Sequence, residues 1–566
     1  MDDLIRKLVE CLPLDFRVLF RQFFLRVIDL EALSIEADVE RFLGQFAGVT
    51  IMLSLVHSVV LYVGTIVFVK PAERLAFFWH MEHYLIATMM LVVGLFTVIS
   101  WDAAFPDRRD VMVLSPLPIA SRTILLAKIT ASASIIGVAI LTLNCACGLL
   151  LPFLLDGQAG PRFGFFQALP AWGFTLLAAS VFLYGSVLTA QGLTALILPR
   201  RIYLRLSAIL QLAAFGLFMG VYFVQPTLTD PISLADPRNH WILAASPTYW
   251  FLGLFNQLNG SLPAQLTWLA ERAWVALGIA VLGAGSSLLL CYVHTMKKTV
   301  EEPDLVPGSG GHRRWIPSVG NSLQNAVARF SIRSLTRSRQ HRVAFAFYVA
   351  FVVGLAFSLV RSEMTAGGQM VQVGMDFLIS TFLMMFFMVV GFRSVFALPI
   401  SLTANWVLRT TQLKPTEDYV AATRRTLLVL AVAPVWLLCA ALACRMSPAI
   451  EAMGHLAVLA LLGYVLVEVS LINFYKVPFT CSYLPGKANF QLTFWGFFIV
   501  LISVVVPSAG FELRALHDAD RYGFLVCLLL GVSGALYALN HHRAKSAVLY
   551  FEELPEEPIT TLKLSA

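Results

Sequence analysis

The chain has 566 residues, of which 58% are hydrophobic and 13% charged, and its mean hydropathy is +0.76. Such a composition excludes a disordered chain and an ordinary soluble domain and leaves a membrane protein. The net charge of +7, from 41 Lys and Arg against 34 Asp and Glu, would suit nucleic acid in a soluble protein; in a membrane protein it comes from basic residues gathering on the cytoplasmic side.

In chain order, Met1 to Lys7 is acidic and then basic. No short apolar core with a small-residue cleavage site comes after it, so no cleaved signal peptide is expected. Leu14 to Leu30 sets Phe16, Val18, Leu19, Phe20, Phe23, Phe24 and Leu25 beside Arg17, Arg21 and Arg26. That segment is too charged to span and apolar enough to lie in the interface. A hydrocarbon layer of about 30 Å takes roughly 20 apolar residues. Runs of that kind lie near 46–69, 83–101, 131–155, 171–198, 205–224 and 271–295.

Glu301 to Gly320 holds Pro303, Pro307, Gly308, Gly310, Gly311 and Pro317, which favours an irregular cytoplasmic linker. Beyond it Arg329, Arg333 and Arg337 share one helical face while Ile332 and Leu335 lie on another, the pattern of a second surface helix. Apolar runs resume near 343–361, 374–397, 425–445, 452–473, 491–508 and 522–540. The tail carries Glu552, Glu553, Glu556 and Glu557 and has room for a surface contact only.

These elements predict an all-α polytopic membrane protein with about twelve transmembrane helices. Residues 1–300 form a first half, 301–320 a linker, 321–545 a second half and 546–566 a short cytoplasmic tail. An offset of 297 lays Pro118 on Pro415 and Lys128 on Arg425. Six spans return each half to its starting side, so the two six-helix repeats are parallel, each preceded by an amphipathic interfacial helix. With both termini in the cytoplasm most Lys and Arg fall inside, including Arg200, Arg201, the run from Arg329 to Arg342, Arg424 and Arg425. The positive charge therefore reads as topology, and no nucleic-acid partner is expected.

The eight cysteines, at 11, 145, 147, 291, 439, 444, 481 and 527, imply no disulfide framework. Cys145 and Cys147 point to different faces of a helix and have no nearby His or second pair, so no metal site is expected.

The loop after the second run reads Trp101-Asp-Ala-Ala-Phe-Pro-Asp107-Arg108-Arg109-Asp110, then Val111-Met-Val-Leu114-Ser-Pro-Leu-Pro118, then Ile119 to Lys128. Its charged quartet can exchange charge-assisted hydrogen bonds with a partner. Val111, Val113 and Leu114 offer apolar anchors, and Pro116 and Pro118 stop the helix. This segment resembles the cytoplasmic coupling loop of export-type (type-2) permeases of the ABC transporter superfamily, where an acidic and basic cluster precedes Leu-x-x-x-Pro and a helix ending in Lys. Ser246-Pro247-Thr-Tyr-Trp250-Phe251-Leu-Gly-Leu-Phe255, in the outer loop before the sixth run, is similar to the Pro-x-x-Trp-Phe-x-Gly-Leu signature of those permeases. The second half's equivalent loop holds Asn405, Trp406 and Arg409 and continues through Lys414-Pro-Thr-Glu-Asp418, without the Asp-Arg-Arg-Asp cluster.

The resemblance implies two permease halves fused in one chain of a plasma (bacterial inner) membrane. It further implies a separate ATP-binding cassette subunit, two copies of it, whose closure enters through the coupling loops and interfacial helices. This chain binds no cofactor on that reading; ATP and Mg sit on the partner subunit. Gly486-Lys487 lacks the earlier glycine of a P-loop, since Cys481 stands there.

Glu468, inside the tenth run, could bind a proton or cation, or be paired by Lys476 or an Arg of a neighbouring helix. His57 and Asn144 could line a pathway or bond across helices, as could Gln191 and Gln211. Tyr475 to Lys487 could touch the ATPase or lipid headgroups, or serve as an ordinary positive inner loop. The aromatic segment from Gln225 to Ala270, with Trp241, Trp250, Phe251, Phe255 and Trp268, predicts short helices resting at the outer interface. No H-x-x-x-H spacing, G-x-S-x-G elbow or paired carboxylates point to an enzyme. The competing functions are an ion-coupled secondary transporter using Glu468 and a membrane-embedded lipid-processing enzyme.

Overall fold

The computed structural model describes residues 13–28, 39–65, 69–70, 74–99, 113–114, 116–156, 164–224, 234–301, 321–365, 373–400, 405, 410, 414–480 and 490–550. Among them every regular element is a helix. Nine of the helices in these residues are long and apolar enough to cross a bilayer. Two shorter apolar helices, Ala47–Val63 and Ile209–Phe223, and a 26-residue helix at Phe490–Ala515 occupy the first, fifth and eleventh apolar runs. Large apolar side chains such as Ile279, Leu282, Leu289 and Leu290 face outward, as they do where lipid replaces water as the solvent.

The chain divides into two compact units, one centred on Val39–His312 and the other on Arg313–Ala488 with Phe497–Ala566. The first contains α1 (Leu14–Ile28), α2 (Val39–Val63), α3 (Arg74–Ile99), α4 (Ser121–Asn144), α5 (Cys147–Asp156), α6 (Phe165–Ile197), α7 (Arg200–Val224), α8 (His240–Ala245), α9 (Pro247–Asn259) and α10 (Thr267–Glu301). The charged, phenylalanine-rich α1 packs along the start of α4. Leu19 and Phe23 bury against Ile124, Ala127 and Ala131, ringed by Phe16, Phe20, Phe24, Leu114 and Ile119. The longest helices, α6 and α10, cross where side chains are smallest. A Cβ on Gly185 would lie 3.0 Å from the Ala280 carbonyl oxygen, and one on Gly283 would lie 2.9 Å from Thr189 Oγ1, the close approach that small residues permit between membrane helices.

Two features of this unit correct the sequence reading. The third run, 131–155, is not one continuous helix: α4 stops at Asn144 and α5 begins at Cys147. Ser54 Oγ of α2 accepts hydrogen bonds from the amides of Ala146 and Cys147, both at 3.1 Å, so the free amides of a new helix start are met by a side chain from another helix. Secondly, the aromatic segment around Trp250 forms the expected short helices, but its rings are packed into the unit. Helix α9 packs against α3, α6 and α10, and Tyr249, Phe251, Leu252, Leu254 and Phe255 are fully buried. The buried set includes the polar Asn256 and Asn259, so packing between helices rather than a uniformly apolar surface shields this segment; among its described rings His240 and Trp241 are exposed.

The second unit contains α11 (Ser322–Arg337), α12 (Arg339–Thr365), α13 (Met375–Phe396), α14 (Thr416–Leu427), α15 (Ala433–Met446), α16 (Ala449–Ser470), α17 (Phe490–Ala515) from Phe497 onward, and α18 (Ala519–Ser546). Asn321 and Gln324 form a reciprocal capping box at the start of α11. Val327, Ser331, Ser334 and Leu335 are buried, while Arg329, Arg333 and Arg337 are exposed on the opposite face. The run at 425–445 departs from a regular helix: residues 428–432 form a π-turn directly before Pro434, whose missing amide leaves the ordinary ladder incomplete.

Taken each by itself, the units share three pairings. In the first, α1 lies on α4, α3 on α6 and α6 on α10; in the second, α11 lies on α14, α13 on α16 and α16 on α18.

Candidate functional site

Asp107, Arg108, Arg109, Asp110, Trp406 and Arg409 lie outside the described residues, as do most of the 301–320 linker and the tail beyond 550. Directly after the Asp-Arg-Arg-Asp cluster, Val113, Leu117 and Pro118 are exposed, while Leu114 turns toward Leu19 and Phe23 of α1. Lys128 is not on a docking surface. It is 4% exposed, its ammonium 5.1 Å from the centre of the Phe23 ring, which ties α4 to α1 through a cation–π contact in a desolvated setting. Arg21 is exposed and Arg17 half-buried.

Asn405 is also buried rather than presented to a partner. Its Nδ2 donates to the Thr480 carbonyl at 2.7 Å. The segment after α16, distinctive in sequence for its Lys, Pro and Gly, is a structural clasp up to Thr480. Phe479 adopts φ 68°, donates its amide to the Phe396 carbonyl at 2.8 Å and accepts from Ile400 N at 3.1 Å. Its ring is buried beside Phe330, His341 and Phe396. A left-handed phenylalanine costs backbone energy, offset here by two hydrogen bonds and full burial of an aromatic ring. His341 closes the same end of the unit, with Nε2 2.9 Å from the Leu398 carbonyl and Nδ1 2.6 Å from Ser338 Oγ.

Glu468 is not a free carboxylate awaiting an ion. Arg424 Nε lies 2.6 Å from Oε1 and Arg424 Nη2 donates to Oε2 at 3.3 Å. Asn540 Nδ2 donates to Oε2 and to the Glu468 carbonyl oxygen, both at 2.8 Å. The guanidinium also sits 4.7 Å from the centre of the Tyr537 ring. Glu468 is 0% exposed and Arg424 only 9%, so Arg424 belongs to this buried pair and not to a solvated cluster with Arg425. Arg425 turns to α11, where its Nη1 donates to Gln324 Oε1 at 2.7 Å.

His57 stacks on Tyr84, with Nε2 3.1 Å from the phenol oxygen and Nδ1 2.7 Å from the Leu53 carbonyl. Asn144 Nδ2 donates to the Ile140 carbonyl at 3.0 Å, one residue before the break between α4 and α5. Gln211 Nε2 donates to the Val98 carbonyl at 2.7 Å, and Gln191 is buried. In α9, Pro247 occupies the first turn, Trp250 Nε1 donates to the Leu243 carbonyl at 3.0 Å, and Phe251 is fully buried.

Two polar clusters escape the sequence reading. In the first unit Glu82 is 2% exposed and accepts from Asn256 Nδ2 at 3.0 Å; next to it in sequence, His83 Nε2 lies 2.9 Å from Thr248 Oγ1 and its ring stacks on Tyr249. In the second, His455 Nδ1 lies 2.8 Å from Glu512 Oε1 and Nε2 lies 3.0 Å from Thr381 Oγ1, all three buried. The hydroxyl, imidazole and carboxylate have the spacing of a nucleophile with its base. Thr381 is 0% exposed, however, and its hydroxyl is held by the Phe377 and Leu378 carbonyls, so the set works as a hydrogen-bonded tie between α13, α16 and α17. Among the described residues no group of three metal-binding side chains converges. No model of a known family, no curated protein and no solved structure matches this chain.

Proposed function

We propose that the chain is the permease subunit of an ATP-driven ABC exporter of the plasma membrane, with twelve spans in two parallel halves and ATP hydrolysed by a separate subunit. The substrate is amphipathic on this reading, in keeping with the apolar helices that surround it. The observation that carries the proposal is the segment after Trp101, with its Asp-Arg-Arg-Asp quartet and Leu114-x-x-x-Pro118; the helix that follows does not end at Lys128 but runs on to Asn144. Two arrangements support the proposal. An apolar corner of Val113 and Leu117 stands exposed beside two prolines directly after the quartet, and α1 is clamped to the helix that leaves this loop. A push on the loop would therefore reach α4 and α1 together. The three pairings common to both units support the repeat, with α11 lying on α14 as α1 lies on α4.

The second reading, an ion-coupled carrier working through Glu468, is weakened by the occupancy of that carboxylate by Arg424 and Asn540. The test is affinity purification of the tagged chain in nanodiscs, with mass spectrometry of the co-purifying proteins. A P-loop ATPase should co-purify with the wild type and fall at least tenfold in an Arg108→Glu, Arg109→Glu variant that keeps its thermal stability. Absence of any such subunit across several lipid compositions overturns the proposal.

A further inference from the structure

Glu82 stands apart from the other buried carboxylates of the membrane helices. Glu468 has Arg424 and Glu512 has His455. Glu82, two turns into α3 and 2% exposed, has a single side-chain donor, the neutral amide of Asn256. That amide is shared, since Nδ2 also donates to the Leu252 carbonyl at 3.1 Å. Among the described residues no Lys or Arg lies within ion-pair distance of it.

The titratable groups around it are few. On α3 itself they are Arg74, at its start, and His80, His83 and Tyr84; His83 is held by Thr248 and Tyr249, and the Tyr84 hydroxyl lies 3.1 Å from His57 Nε2. Helix α9 brings Tyr249; α6 brings Tyr184; α7 brings Tyr222, which bonds Thr88. Arg272 of α10, the helix packed on α9, is committed to the Ala244 carbonyl and the Trp268 ring.

The neighbourhood is also short of donors by an independent count. Asn256 Oδ1 takes the Ser261 hydroxyl at 2.6 Å, Asn259 Nδ2 reaches Ser261 Oγ at 3.5 Å, and Asn259 Oδ1, on a residue only 4% exposed, is buried with no partner among the described residues. An ionised carboxylate among neutral amides in a dry core is too costly to persist. A metal cation would need roughly six free oxygens, and the amide oxygen of Asn256 is already taken.

We propose that Glu82 is a proton-binding site built into the first unit: its carboxyl carries a proton while α9 is packed on α3, and gives that proton to water only when α9 lifts away. One O–H bond breaks, the proton passes to the entering water, and the carboxylate that remains is stable only while it stays hydrated. Proton release and displacement of α9 are then one event, with the packed state favoured at lower pH and the open state as pH rises. This is independent of what drives transport, and the ATPase pull-down neither supports nor harms it.

The test is infrared titration of the full chain in nanodiscs, wild type against Glu82→Gln. At neutral pH the wild type should show a protonated carboxyl band that the variant lacks, vanishing at alkaline pH. In parallel, hydrogen exchange of the α9 amides, corrected for the intrinsic effect of pH, should rise at least tenfold across the same transition in the wild type and stay flat in Glu82→Gln. The amide variant mimics the neutral carboxyl and should keep the thermal midpoint; a Glu82→Ala variant, which cannot, should lower it. No band difference at neutral pH overturns the proposal, and so does α9 exchange that rises equally in both proteins.

Discussion

Arg424 and Glu468 form a buried ion pair with its remaining valences occupied by Asn540 and the face of Tyr537. Removing one partner strands the other charge in a medium that cannot hydrate it, at a cost of about 3–5 kcal/mol. Glu468→Ala should lose stability on that scale in denaturant titration of the detergent-solubilised protein. The double variant Arg424→Ala, Glu468→Ala should lose clearly less than the sum of the singles, and strict additivity would show that the pair carries no coupling. Glu468 is visible in the sequence as a carboxylate within an apolar run, and an Arg from a neighbouring helix is among the partners its position allows. Arg424 itself is hidden, because next to Arg425 it reads as half of a surface doublet. Glu82 is hidden for a different reason. The run beside it begins, by hydropathy, at residue 83, whereas α3 begins at Arg74. Packing by α9 supplies the shielding that hydropathy alone does not reveal, and packing between distant segments leaves no periodic trace in the chain.

At the scale of elements the apolar runs locate most helices correctly, because length and hydropathy are the very properties that bilayer crossing requires. Their interruptions are less legible. Asn144 and Gly148 only weaken a helix here, and no proline marks the break; the amides it frees are met by a hydroxyl about ninety residues earlier, at Ser54. Ser54→Ala should cost about 1 kcal/mol, the worth of a lost cap, and should speed hydrogen exchange of the Ala146 and Cys147 amides while leaving α6 unchanged. The crossing of α6 and α10 offers a sharper test. Gly185→Leu cannot be accommodated against the backbone at Ala280 and should cost at least about 2 kcal/mol, in the range of other overpacked sites, whereas Gly278→Leu, whose Cβ would meet nothing within 4 Å, should be close to neutral. Equal effects at the two positions would contradict the crossing.

For the molecule as a whole, the two-half layout rests on an even number of crossings per half. If each half crosses six times, a cysteine reporter at position 310 and another at 555 label only from the cytoplasmic side, and one at 262 only from the outside, in a background without the native cysteines. Labelling of 310 and 555 from opposite faces would mean an odd crossing number in the second half. The recurring pairings α1 with α4 and α11 with α14 make the even count the simpler arrangement. Yet the equivalence is incomplete: the first unit holds a buried α9 for which the second has no described counterpart, and the Phe479 clasp belongs to the second alone among the described residues. Sequence offset aligns one proline with another and one basic residue with another, Pro118 with Pro415 and Lys128 with Arg425. The features that distinguish the halves come from aromatic segments whose destination, core or surface, composition does not decide.

Helix α16 carries polar commitments near both ends, His455 to Thr381 and Glu512 and Glu468 to Arg424 and Asn540. Half of those partners, Glu512 and Asn540, are encoded after it. During synthesis, therefore, α16 must leave the ribosome and enter the bilayer before α17 and α18 exist to satisfy it. It has Arg424 and Thr381 to wait with, but His455 lacks its acid and Glu468 its amide until the last spans arrive. The second unit consequently has an order of birth written into it: α16 is held provisionally by earlier helices and locked by later ones, so a chain that stops short of residue 512 gives a quality-control protease two polar groups to find.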